Sequence, residues 1–407
     1  MSSYEFLDSS SIADYIAGRP ELSGRVDPKN LVEIKEVGDG NLNLVFIVKD
    51  ATGCGVVLKQ ALPYVRLVGP EWPMTPDRAR FEYSTSVIHA KAAPGLVPEM
   101  YFFDQARFII GMEDLSDHRV WRSALMDGEI HRGAAEAVGE YIARTAFATS
   151  LFGSGAQLHK EEISRSINTE LCLITEDLVF TEPYFEAGRN SVLATNEIDA
   201  RDLANDQEVI REMGMLKFDF MTRAEALIHG DLHTGSVMVR AASTESPAST
   251  KAFDSEFSFY GPISFDIGAI IANYYIAAAR AEALGNNELK EFTLSLPEAT
   301  WASFAKTFES LWSSRVDKRV FTDALVHDLL SDWKVDAIGF AAAKMVRRIV
   351  GLAKTADIET LAPNLREGAA RGVLRVARHF AVARHMNTNF SSLSNQAAEI
   401  ITQTATK

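Results

Sequence analysis

The segment 226–268 constrains the fold of this chain more strongly than any other part of the sequence. Two short apolar runs, 226–228 and 237–239, flank a polar loop that contains Asp231 between two histidines. Apolar runs of this length predict strands, and catalytic side chains often lie on loops that a rigid scaffold holds between such elements. We therefore expect a loop held between two strands, with the chemistry of the chain concentrated on it.

A pair of carboxylates, Asp254 and Glu256, follows the second apolar run. In phosphoryl transfer one carboxylate accepts the proton of the attacking hydroxyl, and others hold the Mg²⁺ that bridges the nucleotide phosphates. We therefore predict that Asp231 is the catalytic base and that Asp254 and Glu256 are metal ligands. Their spacing predicts two carboxylates on one face of an extended segment. A lone D-x-E is more often a solvated turn, but its position after an H-G-D loop favours the metal site.

The same loop also matches the start of a two-metal phosphoesterase, in which Asp and His side chains bind the metals. That alternative requires further ligands downstream of His233. Three of the nine histidines follow it, all in segments with a helical pattern: His327, His379 and His385. We therefore favour a kinase, and we interpret His229 as a structural brace of the loop.

Composition excludes several classes of protein. The 407 residues are enough for two lobes with separate cores, and 47% hydrophobic with 24% charged residues is typical of a globular protein. A net charge of -14 argues against nucleic acid or an anionic membrane as a partner. Cys54 and Cys172 are the only cysteines, so we expect no disulfide framework and a reducing compartment, the cytoplasm. No apolar stretch approaches the ~20 residues that span a bilayer.

A glycine-rich turn at 38–43 lies between segments of alternating apolar residues, and a third such segment ends in Lys59. Glycines allow backbone N–H groups to approach phosphate oxygens, and a strand lysine pairs with those oxygens as a point charge. This arrangement is typical of the phosphate-covering hairpin of kinases. The helical pattern at 78–89 contains Glu82, which either orients Lys59 or lies on a solvated helix face.

The next two strand-like segments, 101–103 and 108–110, are followed directly by Glu113, Asp114 and Leu115. In a two-lobed kinase, a strand that ends in such a linker is the hinge whose backbone contacts the adenine edge. The sequence therefore predicts a nucleotide site between the glycine-rich turn and this hinge.

We predict a β-rich lobe at 1–115 and a larger, mostly helical lobe at 116–407, which together form an α+β, bilobal, protein-kinase-like fold. Asp266 begins a long helical region and either caps that helix or braces the catalytic loop. Arg347 and Arg348 lie within an apolar helical stripe, where an unpaired charge would be costly. They form either structural salt bridges or a guanidinium clamp on the substrate or the transferred phosphoryl group.

Taken together, these motifs resemble those of the 5-methylthioribose kinases of methionine salvage, which belong to the aminoglycoside- and choline-kinase-like group. The similarity extends over nearly the whole chain and also includes the Arg347–Arg348 pair. The matching segments are EVGDGNLNLVF (36–46), LKQALPYVRLVGPEWPMT (58–75), MEDL (112–115), ALIHGDLHTGSVMV (226–239) and EFSFYGPISFDIG (256–268).

The resemblance implies a homodimer that transfers the γ-phosphoryl group of ATP to the 1-hydroxyl of 5-methylthioribose, with Asp231 as base and Mg²⁺ held by Asp254 and Glu256. The implied nucleotide and metal contacts are Gly40, Asn43, Lys59, Glu113, Asp114, Leu115, Asp254, Ser255 and Glu256. The implied substrate contacts are Asp231, His233, Trp72, Arg347 and Arg348.

Two positions depart from the pattern of the wider group. Ser236 replaces an asparagine five residues after the catalytic Asp, as it does in the methylthioribose kinases. Ser255 replaces the proline of the usual D-P-E, so the fixed φ of proline is lost between the two metal ligands.

Two alternative functions are left open by the sequence. The first is a kinase of the same fold for another small alcohol, such as an aminoglycoside, choline or homoserine. Aminoglycosides and choline are cationic and favour an acidic pocket, whereas the arginine pair favours a neutral or anionic ligand. The second is a nucleotide-binding module without catalytic activity.

Overall fold

The amino-terminal part of the chain is built on an antiparallel sheet. The computed structural model describes residues 4–38, 42–65, 69–185, 188–244, 246–386 and 389–405. The strands of this part are β1 (Leu31–Glu36), β2 (Asn43–Asp50), β3 (Gly55–Ala61), β4 (Tyr64–Val65), β5 (Gly69–Pro73), β6 (Met100–Asp104) and β7 (Ile109–Glu113). Five of them form one sheet in the order β1–β2–β3–β7–β6, and every neighbouring pair is antiparallel.

Two helices pack on opposite faces of this sheet. They are α1 (Ile12–Ala17) and α2 (Arg78–Ala92). Val56 and Leu58 of β3 are buried against residues of α1. Because side chains alternate along a strand, Lys59 points to the other face, where α2 lies. The alternation read from the sequence therefore places the strand lysine beside the helix that carries Glu82.

The segment 63–76 is partly a small hairpin. Strands β4 and β5 pair antiparallel, with Tyr64 opposite Pro73. Trp72 is half-buried, and it belongs to an apolar cluster with Val65 and Leu171 of the helical part. This packing explains why a segment rich in proline and glycine still forms strands.

The remainder of the chain is mainly helical, as expected. Its helices are α3 (Trp121–Met126), α4 (Ala134–Thr149), α5 (Leu151–Ser154), α6 (Ala156–Arg165), α7 (Thr169–Phe180), α8 (Glu197–Asn205), α9 (Gln207–Thr222), α10 (Ile263–Ala283), α11 (Asn287–Trp312), α12 (Leu325–Ile349), α13 (Ala356–Glu359), α14 (Pro363–Ala383) and α15 (Phe390–Ala405). A large apolar core joins these helices, and the α+β architecture with a β-rich amino-terminal part is confirmed. Within the described ranges, no helix is both long and apolar enough to cross a membrane.

Helices α10 and α12 approach each other closely because glycine lies at their contact. A Cβ atom added at Gly268 would lie 2.5 Å from the carbonyl oxygen of Ala337, well inside normal contact distance. The absence of a side chain at Gly268 therefore permits the packing that brings the end of α12 to the functional loop.

Five short strands surround that loop. They are β8 (Arg119–Val120), β9 (Ala226–Ile228), β10 (Val237–Arg240), β11 (Ser249–Ala252) and β12 (Phe259–Gly261). Strand β9 pairs with β12, whereas β10 pairs with β8 and β11. The two apolar runs of the sequence are thus strands, as predicted, and each is anchored in a different small sheet.

Candidate active site

The loop after β9 is held in place by two side chains that bind backbone groups, Asp266 and His229. The Asp266 carboxylate accepts hydrogen bonds from the backbone N–H groups of His229 (2.7 Å) and Gly230 (3.0 Å). The His229 ring contacts the carbonyl oxygen of Phe253 through Nε2 at 2.8 Å. Asp266 therefore braces the loop and does not cap α10, and His229 is the structural brace predicted from the sequence.

Asp231 lies among positively charged groups. The Lys344 ammonium donates a hydrogen bond to its Oδ1 at 2.5 Å, and Nη1 of Arg347 lies 3.6 Å from the same oxygen. The other oxygen, Oδ2, faces Nε2 of His233 at 3.4 Å. Burial alone would raise the pKa of Asp231, but the Lys344 charge, together with His233 and Arg347, holds it well below its usual value. The carboxylate is therefore ionised at neutral pH.

Lys59 bridges the two lobes. Its ammonium is 2.7 Å from the Glu82 carboxylate and also forms an ion pair with Asp254. Burial would lower the pKa of Lys59, but the charges of Asp254 and Glu82 outweigh it and raise that pKa. Burial raises the pKa of Glu82 to about 7. Glu82 is buried, so the interpretation of a solvated helix face is wrong and its contact with Lys59 is confirmed.

Three carboxylates converge beside Lys59. One oxygen each from Glu82, Asp254 and Glu256 lies within 4.8 Å of the others. Carboxylate oxygens are the ligands that Mg²⁺ prefers, so this donor set fits such an ion. The expectation that Asp254 and Glu256 share a face of an extended segment is wrong, because Asp254 has a left-handed backbone with φ +70° and lies in no strand. The turn, and not strand alternation, brings the two carboxylates together.

The glycine-rich turn reaches this cluster through Asn43. Its Nδ2 donates a hydrogen bond to Glu256 Oε2 at 3.1 Å, and its Oδ1 accepts one from Arg78 at 3.1 Å. Asn43, predicted as a nucleotide contact, therefore holds a metal-ligand candidate in this structure. Gly40, the other candidate of the turn, lies outside the described residues.

Sequence reasoning missed Arg78, although a signal was present. Its Nε lies 3.1 Å from Glu256, and its other nitrogens donate to the carbonyl oxygens of Leu42 and Leu62. Arg78 and Glu82 are four residues apart on α2, a spacing that places both on one helix face. The predicted helix and the predicted role of Glu82 could together have pointed to Arg78.

The two acidic hinge candidates, Glu113 and Asp114, form ion pairs with lysines. Lys251 lies 2.8 Å from Glu113, and Lys49 lies 3.5 Å from Asp114. Leu115 is buried. A nucleotide base at this position would therefore contact the backbone, as a hinge requires.

The side chains of two further candidates have partners other than the three converging carboxylates. The Ser255 hydroxyl is buried and faces Ser86 of α2 at 3.3 Å, so Ser255 contributes to packing against that helix. The Trp72 ring lies 5.3 Å from the guanidinium carbon of Arg189. Neither side chain contacts Asp231 in this structure.

The arginine pair lies at the end of α12, and both side chains are buried. The sole carboxylate within 4.0 Å of Arg347 is Asp231, and Arg348 has no such partner among the residues described. Burial and the neighbouring Arg347 lower the pKa of Arg348 to about 9. Two structural salt bridges are therefore not formed. Arg347 extends towards Asp231, and Nη1 of Arg348 donates to the carbonyl oxygen of Ala353 at 3.5 Å.

Two more cations of this region were not identified from the sequence. Lys344 lies three residues before Arg347 and four before Arg348, so it is a neighbour of each of them on the surface of α12. Arg122 of α3 lies 3.2 Å from Asp357 and donates to Asn273 at 3.0 Å. A lysine inside an apolar helical run was a usable signal for Lys344, whereas nothing local marks Arg122.

These features define a small-molecule phosphotransferase of the kinase type, and the chain belongs to the phosphotransferase enzyme family, whose model matches residues 33–303. The protein is thus an ATP-dependent kinase, an activity that usually requires a divalent metal.

Its relatives within the family are methylthioribose kinases. The chain is 40% identical over 367 residues to the methylthioribose kinase of Cronobacter sakazakii, covering 89% of this chain and 90% of that protein. It is also 40% identical over 353 residues to the methylthioribose kinase of Geobacillus thermodenitrificans, covering 86% and 87%. Among solved structures, choline kinase from Cryptosporidium parvum gives a TM-score of 0.48 at 11% identity, covering 98% of this chain and 95% of that one.

Proposed function

We propose that this protein transfers the γ-phosphoryl group of ATP to the 1-hydroxyl of 5-methylthioribose, giving 5-methylthioribose 1-phosphate for methionine salvage. The observation that carries the proposal is 40% identity to proteins named methylthioribose kinase over about nine tenths of both chains. The motifs of the sequence, from the glycine-rich turn to the arginine pair, agree with it.

In the proposed reaction Asp231 orients the sugar hydroxyl and accepts its proton. Lys59, held by Glu82, neutralises charge on the nucleotide phosphates, and Arg347 with Arg348 stabilises the charge on the transferred group. A base with a low pKa accepts a proton weakly. The contribution of Asp231 is therefore mainly to position the hydroxyl, which suits the loose transition state of phosphoryl transfer.

Asp254 and Glu256 would hold Mg²⁺, with Glu82 beside them. The ion supplies positive charge that neutralises the phosphate oxygens during transfer. Asn43 and Arg78 hold Glu256, and the close contact of Ser255 with α2 fixes the turn between the two ligands. The proline that Ser255 replaces is thus compensated by packing.

The charge around Asp231 supports a sugar acceptor over a cationic one. Lys344, Arg347 and Arg348 extend from α12 towards the base, and the charge of Arg122 acts on Arg348. Choline or an aminoglycoside would be repelled by this surface, whereas a neutral sugar that becomes an anionic phosphate would be held more strongly as the reaction proceeds.

The test is magnesium-dependent release of ADP from ATP with 5-methylthioribose, measured beside ribose, choline, homoserine and kanamycin. We expect turnover with 5-methylthioribose at least tenfold above any other acceptor. A faster reaction with another acceptor would overturn the substrate. Binding of ATP without ADP release for any acceptor would favour the inactive nucleotide-binding module.

We also propose that the enzyme is a homodimer in the cytoplasm and that the lobe boundary follows residue 115. The resemblance to the methylthioribose kinases supports the dimer, and the scarcity of cysteines supports a reducing compartment. Sedimentation equilibrium of the full chain tests the dimer, since a mass near 45 kDa would contradict it.

A further inference from the structure

Lys344 is the most deeply buried of the cations that contact Asp231 among the described residues. Its side chain is 1% exposed, and its Nζ lies 2.5 Å from Oδ1 of Asp231. Over the described ranges, no other carboxylate lies within 4.0 Å of this ammonium. The Phe265 ring, 5.3 Å from Nζ, forms an apolar wall beside it. The lysine is thus committed to a single partner.

A lysine in such a place is costly unless the fold or the reaction uses it. Burying an ammonium removes its hydration, and the loss is offset only by a close, well-oriented anion. Burial lowers the pKa of Lys344 to about 8 in spite of the Asp231 charge, and Arg347 and Arg348 add to the lowering. An apolar residue of the same length would pack at this position without that cost.

The two oxygens of Asp231 have different surroundings. Oδ1 is occupied by Lys344, with Arg347 further away at 3.6 Å. Oδ2 faces His233 at 3.4 Å, which is longer than a normal hydrogen bond. The carboxylate therefore has one oxygen engaged and one oxygen available.

We propose that Lys344 is a positioning residue for phosphoryl transfer: its ammonium holds Oδ1 of Asp231 and so directs Oδ2 to the hydroxyl of the acceptor. This inference rests on the proposed kinase reaction and adds a residue that neither the motifs nor the sequence resemblance assigned. Lys344 acts through Asp231 and contacts no reacting atom.

The pH dependence follows from the groups that face Asp231. Lys344, Arg347 and His233 act on Asp231 directly, and Asp231 acts in turn on Arg348. Arg122 of α3 acts on His233 and Arg348, and Asp266 of α10 interacts with His229 and Lys344. The nearest of the cations is Lys344. Lys344→Met removes the main charge that lowers the pKa of Asp231, whereas burial, which raises that pKa, remains. The pKa of Asp231 therefore rises in this variant. Activity is then lost at the acid end of the profile, where the carboxyl becomes protonated.

The first experiment measures kcat and both KM values of full-length Lys344→Met and of the wild type across about pH 3.5 to 9, so that the window includes the acid limb of Asp231. We expect kcat to fall about 10- to 100-fold, less than removal of the base itself would cost. We expect KM for ATP to change less than about threefold, and the acid limb of kcat to move up by about one pH unit or more. A folded variant with the pH profile of the wild type would overturn the proposal.

The matched control is Lys290→Met, which removes a lysine paired with Glu282 at 2.6 Å, away from the site. Its kcat and pH profile should equal those of the wild type. If Lys344→Met does not fold, Lys344→Arg serves as the test. It keeps the positive charge beside Asp231, so the acid limb of kcat should match the wild type. Because arginine loses its proton at a higher pH than lysine, the alkaline limb should shift upwards. An unchanged alkaline limb would contradict the proposal.

A stability cycle separates this inference from the proposed function. Lys344→Met, Asp231→Asn and the double variant are melted without substrate. If Lys344 and Asp231 stabilise each other, each single substitution lowers Tm. The Tm of the double variant is then no lower than that of either single variant. If wild-type enzyme phosphorylates none of the acceptors, the proposed function fails while the cycle still reports the coupling. Additive losses of Tm would overturn the role of Lys344.

Discussion

At the scale of single residues, the charge around Asp231 decides what kind of base it can be. Its pKa is held well below its usual value, chiefly by Lys344 and also by Arg347, against the opposing effect of burial. A carboxylate with such a low pKa holds a proton taken from the hydroxyl only weakly. Orientation of the hydroxyl is therefore expected to contribute more to the rate than proton acceptance does. In the proposed reaction, Asp231 thus contributes more by orienting the hydroxyl than by its affinity for the proton.

Asp231→Asn keeps the shape of the side chain but removes its charge and one acceptor oxygen. We expect kcat to fall by about 10²- to 10⁴-fold because the hydroxyl is no longer oriented or deprotonated. ATP affinity should be nearly unchanged, since Asp231 contacts none of the nucleotide-site candidates that the structure describes. Steady-state kinetics and calorimetric titration with ATP check both parts. Turnover within tenfold of the wild type would rule out Asp231 as the base.

Glu82→Gln removes the carboxylate that orients Lys59 from within α2. Lys59 would remain with Asp254, one of the metal-ligand candidates. We expect KM for ATP to rise about tenfold, because a hydrogen bond to a charged group contributes about 1.5–3 kcal/mol. Kinetics at varied ATP concentration measure this. Glu291→Gln, at an exposed position of α11, is a control that should match the wild type. An unchanged KM would remove Glu82 from the nucleotide site.

At the scale of elements, the position of α12 depends on the α10 helix against which it packs. Gly268 allows the two helices to meet backbone to backbone near Ala337. The close packing of α12 on α10 lets Lys344 and Arg347 reach Asp231. Packing between two helices therefore sets the geometry of the candidate active site.

Gly268→Ala places a methyl group against the Ala337 carbonyl, so the helices must separate. We expect a loss of about 1–3 kcal/mol in the free energy of unfolding and a lower kcat. The control is Gly214→Ala in α9, where an added Cβ meets nothing within 4 Å. That change should stabilise the protein by about 0.5–1 kcal/mol. Urea titrations distinguish the two variants, and equal stabilities would contradict the close-packing argument.

The sequence predicted those elements whose signal is local. Alternation identified the strands around Lys59, and helical spacing placed Glu82 on α2. The left-handed turn at Asp254 was not predictable, because a non-glycine residue adopts it only when tertiary contacts such as the Lys59 ion pair favour it. The Lys344–Asp231 contact was missed since it joins residues 113 positions apart, and no local pattern encodes such a pair.

At the scale of the whole molecule, His89 joins the two lobes. It lies on α2, and its ring contacts the Tyr141 hydroxyl of α4 at 2.8 Å and the Leu227 carbonyl oxygen of β9 at 3.0 Å. Burial lowers the pKa of His89 from its ordinary 6.5 to about 3. The folded protein therefore holds this ring neutral.

Because the unfolded chain binds a proton at His89 below pH 6.5 and the folded protein does not, stability falls as the pH decreases from 6.5 towards 3. The slope from this ring approaches about 1.4 kcal/mol per pH unit. His89→Gln removes the titrating group, so its free energy of unfolding should decline less steeply between pH 6.5 and 4.5 than that of the wild type. Urea titrations at several pH values measure both slopes, and parallel curves would exclude this contribution.

The ion pairs that close the metal cluster have a consequence for the order of binding. Lys59 pairs with Asp254, and Arg78 pairs with Glu256, so the protein's own cations already neutralise the acidic ligands. A free divalent ion must compete with them, whereas a nucleotide triphosphate offers Lys59 a new anionic partner and releases Asp254. We therefore expect the metal and the nucleotide to bind as one complex, with the nucleotide phosphates replacing Asp254 as the partner of Lys59.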